Sequence, residues 1–290
     1  MSNVVLNAVA LIAGLFSWAA AQRLGAFLGL VWFYIVRIRR AVVFENLAIA
    51  LPGTRSEHYR VARDAYRHFG VSALEFFKMS SLSPSEISKK VHAHGMEHFE
   101  RAYSRGRGVI VVAAHYGNFD LLACSQAARG IPLAIVSRDL HSKGTNGFWM
   151  RTRRSSGLTV FQEKGAAREV IRWLRQGKVL GLTVDQRTPP KRGGMLAGFL
   201  GWNVWTTTAP AKLALRLGAA LVPVRVERRE DGDHDLVVEP EIELPDNKKD
   251  EGIILLTKRI NDVVANWVLT RPEHWMWLHR RFSGAKRTTT

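Results

Sequence analysis

The sequence predicts an α/β protein: one mostly parallel central sheet with covering helices, preceded by apolar N-terminal helices that associate with a membrane. Three observations carry this. From residue 109 onward, short apolar runs rich in β-branched residues alternate with helical patterns. The helical patterns open on capping signals and close on glycine. The first 36 residues hold a single charged side chain, Arg23. At 290 residues the chain is long enough for one large α/β core with a helical extension, and 47% hydrophobic residues exclude disorder.

Val4 to Ala21 is mostly Val, Leu, Ala and Ile; after Arg23 the apolar character resumes from Leu24 to Val36. The lack of a basic segment before the apolar run argues against a cleaved signal peptide. A spanning helix and, given Asn7, Ser17, Gln22 and Arg23, an interfacial helix or hairpin remain equally open. Trp32, Phe33 and Tyr34 followed by Arg37, Arg39 and Arg40 mark a cytoplasmic membrane boundary. The reading is therefore a membrane anchor over residues 1–40 and an α/β domain over residues 41–290.

Leu51-Pro52-Gly53 breaks the chain, and Thr54 to Glu57 has capping-box form, starting a helix that reaches about Met79. Ser83 to Glu86 repeats the signal for a short helix, and Glu97 to Ser104 is another. Val109 to Ala114 is continuously apolar, the pattern of a strand buried on both faces. Further strands are expected at 131–136, 158–161, 179–184, 221–226 and 235–238, with helices at 166–176, from the Thr206–Pro210 cap to Gly218, and at 252–269. Two stretches read as loops: the polar run 138–156, carrying Arg138, Lys143, Arg151, Arg153 and Arg154, and the Pro/Gly-rich run 187–201.

The chemistry concentrates where the 109–114 strand stops. His115 follows it, Tyr116-Gly117 is a turn signal, Asn118 is a helix N-cap, and Asp120 lies in the first helical turn. Residues five apart on one regular helix diverge by about 140°. With a turn between them, Asp120 can fold back to the imidazole, fix its tautomer and leave the other nitrogen as a general base. The competing reading is a buried histidine satisfied by a nearby acid. Arg138, Arg151 and Arg153 are candidates for binding phosphate, since arginine pairs with it bidentately; a solvated basic loop is the alternative. Asp185, at the end of another strand, is a second acid, a metal ligand or a cap. The Thr206–Thr208 run before a helix reads as capping or an anion site.

The net charge of +17 calls for an anionic partner: nucleic acid, acidic lipid headgroups or a phosphorylated substrate. A nucleic-acid binder would explain the charge but not the apolar N-terminus. A metal-dependent hydrolase would lack H-x-H or C-x-x-C clusters for its ligands. The single cysteine, Cys124, leaves no disulfide framework and no thiolate zinc site, which agrees with a reducing, cytosol-facing location.

His115-Tyr116-Gly117-Asn118-Phe119-Asp120 resembles the H-x-x-x-x-D/E signature of glycerolipid and lipid A acyltransferases. The chain is similar in particular to the lipid A late acyltransferases (lauroyl and myristoyl transferases). The resemblance also takes in Asn46-Leu47, Arg151 and Arg153, Asp185-Gln186, Phe199-Leu200-Gly201, Thr206-Thr207-Thr208, Leu221-Val222-Pro223 and Trp277-Leu278-His279-Arg280-Arg281. It implies a glycerolipid acyltransferase-like fold and an acyl carrier protein or coenzyme A thioester as donor. It further implies a lipid hydroxyl as acceptor, the cytoplasmic face of the inner membrane, and neither metal, cofactor nor covalent enzyme intermediate. On this reading His115 and Asp120 are catalytic, while Asn118, Arg138, Arg151, Arg153 and Asp185 bind substrate. Asp120, where many lipid A members carry Glu, and Lys191-Arg192-Gly193-Gly194 depart from the pattern and leave a lysophospholipid or a phosphatidylinositol mannoside-type glycolipid as the alternative acceptor.

Overall fold

The computed structural model describes residues 3–138, 142–247 and 249–287. Among these, helices α1 (Asn3–Leu15) and α2 (Trp18–Val31) are joined at Ser17, whose side chain caps α2. A π-helical turn, Trp32–Val36, extends α2, and left-handed residues Arg37 and Arg39 then turn the chain into α3 (Arg40–Ala50). The expected capping boxes form at Thr54/Glu57 and Ser83/Glu86, starting α4 (Arg55–Met79) and α5 (Pro84–Lys89).

The α/β region adds strands β1 (Val91–His94), β2 (Val109–Ala113), β3 (Leu133–Ser137), β4 (Thr159–Gln162), β5 (Val179–Thr183), β8 (Ala220–Arg228) and β9 (His234–Val238). Their spatial order is β1-β9-β8-β2-β5-β3-β4. From β8 to β4 all neighbours run parallel; β9 turns back antiparallel to β8 and β1 lies parallel to β9. Covering helices are α6 (Met96–Tyr103), α7 (Phe119–Ala128), α8 (Lys143–Ser155), α9 (Ala167–Arg175), α10 (Ala209–Leu217) and α11 (Asp250–Thr270). β2 is buried along its whole length, as its unbroken apolar run requires. Ile110 and Val112 pack into the core on one face of the sheet, and Val109, Val111 and Ala113 into the core on the other.

Two expected loops are ordered elements. The polar run after β3 contains α8, capped by Ser142 through the amide of Thr145. The run 187–201 holds the first strand and the turn of a hairpin, β6 (Gly194–Phe199) pairing with β7 (Trp202–Thr207) and turning at Leu200-Gly201 with φ of 50° and 79°. Positive φ at both turn residues matches the right-handed twist of paired strands. Glycine inside β6 hides its alternation in the sequence.

Helix α2 lies along α4 at unusually close range. A Cβ on Gly29 would stand 2.3 Å from the carbonyl oxygen of Tyr66, and one on Gly70 would stand 2.3 Å from that of Gly25. Backbone meets backbone here, so no side chain can yield. Gly29→Ala or Gly70→Ala should destabilise the protein by at least about 1–3 kcal/mol, the usual range for overpacking. Chemical denaturation of the variants against wild type measures it; an unchanged midpoint would contradict the close helix contact.

Candidate active site

The geometry of the candidate site follows from strand register. β2 and β5 are adjacent and parallel, with Ala113 opposite Thr183. Two residues further along each strand come His115 and Asp185, which therefore leave the carboxyl edge of the sheet level with one another, about 4.8 Å apart in strand spacing. His115 Nδ1 lies 2.9 Å from Asp185 Oδ1, and the same oxygen accepts the backbone N–H of His115 at 3.1 Å. The other carboxylate oxygen accepts Trp275 Nε1–H at 2.8 Å. A carboxylate only accepts, so Nδ1 carries the proton and Nε2 presents its lone pair. Gln186 Nε2 donates to that lone pair at 3.3 Å.

Asp185 is 3% exposed. Burial alone would raise its pKa, but the electrostatic pull and hydrogen bonds of His115 and the bond from Trp275 overcome that and hold it at about 2. The carboxylate is thus ionised while it orients the imidazole.

This corrects the role expected for Asp120. Among the described residues the imidazole's partners are Asp185 and Gln186. Asp120 instead accepts Arg153 Nε–H at 2.8 Å and Trp149 Nε1–H at 3.4 Å. Arg153 also donates to Ser137 Oγ at 3.0 Å. The cause is α8: by folding as a helix beside α7, it delivers a buried guanidinium to the first turn of α7. His115 and Asp120 still line one cavity.

The expected phosphate arginines are not gathered at this cavity. Arg138 is exposed and paired with Glu163 at 2.9 Å, and Arg151 donates to Asn7 Oδ1 at 3.1 Å, tying α8 to α1. Arg153 is consumed by Asp120. Asn118 is the N-cap of α7, its Oδ1 accepting Leu121 N–H at 3.0 Å, and its amide donates to Glu75 Oε2 at 2.7 Å. Thr206 faces inward and receives Arg281 Nη2–H at 2.8 Å, while Thr207 Oγ1 accepts Ala209 N–H at 3.2 Å at the start of α10, the capping that the run suggested.

The turn between β2 and α7 is held from the C-terminus. Gly117 N–H donates to His274 O, and Met276 N–H donates to His115 O, both at 2.9 Å. Gly117 has φ of 61°, and a Cβ there would stand 1.9 Å from Val226 O, so only glycine fits. Behind the turn, fully buried Glu75 receives Arg228 Nη2–H at 2.7 Å, Gln22 Nε2–H at 2.6 Å and the Asn118 amide. Burial would raise Glu75, but Arg228 and then His234 hold it well below the usual carboxylate range. The cavity, about 70 Å³, has Val43, Tyr66, Phe69, Phe119 and Trp277 in its walls. Among the described residues, no group of three or more His, Cys, Asp or Glu side chains is placed to hold a metal ion.

The family described as bacterial lipid A biosynthesis acyltransferase matches residues 3–283. The chain belongs to that family. It is 25% identical over 267 residues to the lipid A biosynthesis lauroyltransferase of Escherichia coli, covering 90% of this chain and 84% of that one. It is 24% identical over 208 residues to the phosphatidylinositol mannoside acyltransferase of Mycolicibacterium smegmatis, covering 70% and 66%. The crystal structure of the 1-acyl-sn-glycerophosphate acyltransferase of Thermotoga maritima is similar with a TM-score of 0.42 at 17% identity, covering 88% of this chain and 99% of that one. The protein is a lipid A or related lipid acyltransferase, as its H-x-x-x-x-D resemblance implied. Register rather than motif spacing supplied the acid that meets the histidine; Asp185-Gln186 at a strand end was the one sequence signal for it, and Trp275 gave none.

Two variants separate the carboxylates. Asp185→Asn should leave the fold intact and lower acyl transfer by about 10²–10⁴-fold, because an amide can invert the imidazole tautomer. Asp120→Asn should lower stability by about 3–5 kcal/mol through the stranded buried Arg153. Turnover assays paired with denaturation curves test both. Because folding lowers its pKa, Asp185 contributes stability above about pH 4 that is lost as pH falls toward 2. Acid unfolding of Asp185→Asn should therefore be less steep over that interval.

Proposed function

We propose that this enzyme transfers a fatty acyl chain from an acyl carrier protein or coenzyme A thioester to a hydroxyl of a phosphorylated membrane lipid. Secondary acylation of a lipid A precursor is the reaction the reading favours. The observation that carries it is His115: Nδ1–H on a buried, ionised Asp185, Nε2 unprotonated, and the ring forming part of an apolar cavity wall.

In this mechanism the acceptor hydroxyl displaces the Gln186 amide from Nε2, and His115 takes its proton as the oxygen attacks the thioester carbonyl. Asp185 stabilises the imidazolium. The first turn of α7 offers N–H groups outside the intrahelical ladder, which favour the developing oxyanion; the Asn118 amide is already committed to Glu75. Collapse expels the thiolate, which the imidazolium protonates. A thioester is already activated, so the proposal assigns neither a serine nucleophile nor a metal or organic cofactor. Asp120 acts here through Arg153, shaping the cavity wall. The phosphatidylinositol mannoside relative supports a glycolipid acceptor as the second reading.

The N-terminal helices supply the membrane contact in this proposal, at the cytoplasmic face of the inner membrane. Trp18–Val36 is long and apolar enough to cross a membrane. Its inner side, however, is occupied by α4, which exposes Arg55, Glu57, Arg60 and Arg67. An interfacial position satisfies both elements: Leu11, Leu15, Phe27, Ile35 and Ile38 are exposed for insertion. Exposed Arg37 and Arg39 would meet anionic headgroups, worth about 1 kcal/mol each.

His115→Ala should reduce acyl transfer by about 10²–10⁴-fold in a folded protein, and mass spectrometry of total lipids from a deletion strain should show an acceptor short of one acyl chain. Unimpaired transfer by His115→Ala would end the general-base reading. Leu15→Glu combined with Ile35→Glu should weaken flotation with anionic vesicles by roughly tenfold or more, since each inserted side chain contributes about 1.5–3 kcal/mol.

A further inference from the structure

Two more histidines, His68 on α4 and His274 of the C-terminal segment, line the cavity that contains His115. Their ring centroids lie 4.4 Å apart, with the planes tilted by 31°. Neither takes part in the proton transfer described above. Arg228 Nη1 lies 2.7 Å from His68 Nδ1. A guanidinium has donors only, so Nδ1 must be the acceptor and the ring proton sits on Nε2. Arg228 is in turn fixed by two bonds to buried Glu75, at 3.0 and 2.7 Å, and by a bond to Ser72 Oγ at 3.0 Å. The arrangement is directional: Glu75 holds Arg228, Arg228 selects the His68 tautomer, and His68 is left with an N–H donor. That donor is buried and has no partner among the described residues. His274 Nδ1 is likewise buried and without a partner there.

Buried ring nitrogens without a partner occur also at His234 and His279; His68 differs in lining the cavity with its tautomer imposed by Arg228. Here one nitrogen is firmly engaged and the other is a donor with its tautomer imposed. Burial and then the charge of Arg228 press the pKa of His68 well below its usual value, with His274 and His234 acting in the same sense and Glu75 against them. Burial brings His274 to about 3. Both rings are therefore neutral, which suits an uncharged oxygen rather than an anion.

We propose that His68 donates its Nε2–H to an uncharged substrate oxygen, the thioester carbonyl or the acceptor hydroxyl, and so aligns the reactants beside His115. The inference rests on the general-base reading of His115. His68 is a binding residue in this scheme, while Arg228 and Glu75 are positioning residues that act through it.

Long-range 1H–15N NMR of the labelled full-length protein in detergent should show the His68 proton on Nε2; a proton on Nδ1 would overturn the proposal. His68→Phe, which keeps a ring against His274, should lower kcat/KM for lauroyl-coenzyme A and a lipid A precursor by about tenfold to a hundredfold. His68→Gln, which can accept from Arg228 and still donate, should recover most of that loss. If the partner is the carbonyl, hydrolysis of lauroyl-coenzyme A without acceptor falls in parallel with transfer. If it is the hydroxyl, hydrolysis is unchanged and KM for the lipid rises. Wild-type kinetics in His68→Phe, or equal loss in the Phe and Gln variants, would overturn the assignment. Failure of the parent reading shows separately, as unimpaired transfer by His115→Ala, and leaves the His68 tautomer untouched.

Discussion

The site depends on one constraint, the parallel register that sets Ala113 of β2 against Thr183 of β5. Each strand delivers one functional residue two positions beyond that pair. The hydrogen bond between His115 and Asp185 is thus built by backbone pairing before any side chain adjusts. A one-residue slip would send either side chain to the other face of the sheet. Because β2 is buried on both faces, such a slip would also misplace Val109 to Ala113 between the two cores. Stability of the sheet and alignment of the dyad are the same requirement.

Around that pair the protein immobilises the turn from three directions. The C-terminal segment bonds the backbone at His115 and Gly117 and brings Trp275 to the second oxygen of Asp185. Glu75 anchors Asn118, the cap of α7, while also receiving Gln22 from α2 and Arg228 from β8. Arg153 locks Asp120 from α8. Buried charges are tolerated here because each is met by several donors or acceptors. The polar interior thereby connects the N-terminal helices, the sheet and the C-terminus at one point, beneath an apolar cavity suited to a lipid reaction.

The H-x-x-x-x-D segment consequently has two separate tasks. Its histidine belongs to the sheet edge and its aspartate to the helix packing beside it. The tight contact of α2 with α4 through Gly25, Gly29 and Gly70 fixes the apolar outer face of the N-terminal helices relative to this edge.

Much of this was legible in the residues themselves. The unbroken apolar run at 109–114, the two capping boxes and the alternation of strands and helices fixed an α/β sheet, because periodicity and caps are local properties. The turn at Tyr116-Gly117 put His115 at a strand end, and the ordered set of motifs matched the family. Helix α8 was not read, since a polar amphipathic helix that buries Arg153 looks like a solvated basic loop. The hairpin β6–β7 was not read either, since glycine masks its alternation. What only tertiary structure decided is which partner each charged group meets. Asp185 lies 70 positions from His115 and Arg153 lies 33 from Asp120, and such pairings are set by strand order and helix packing, which no spacing along the chain encodes.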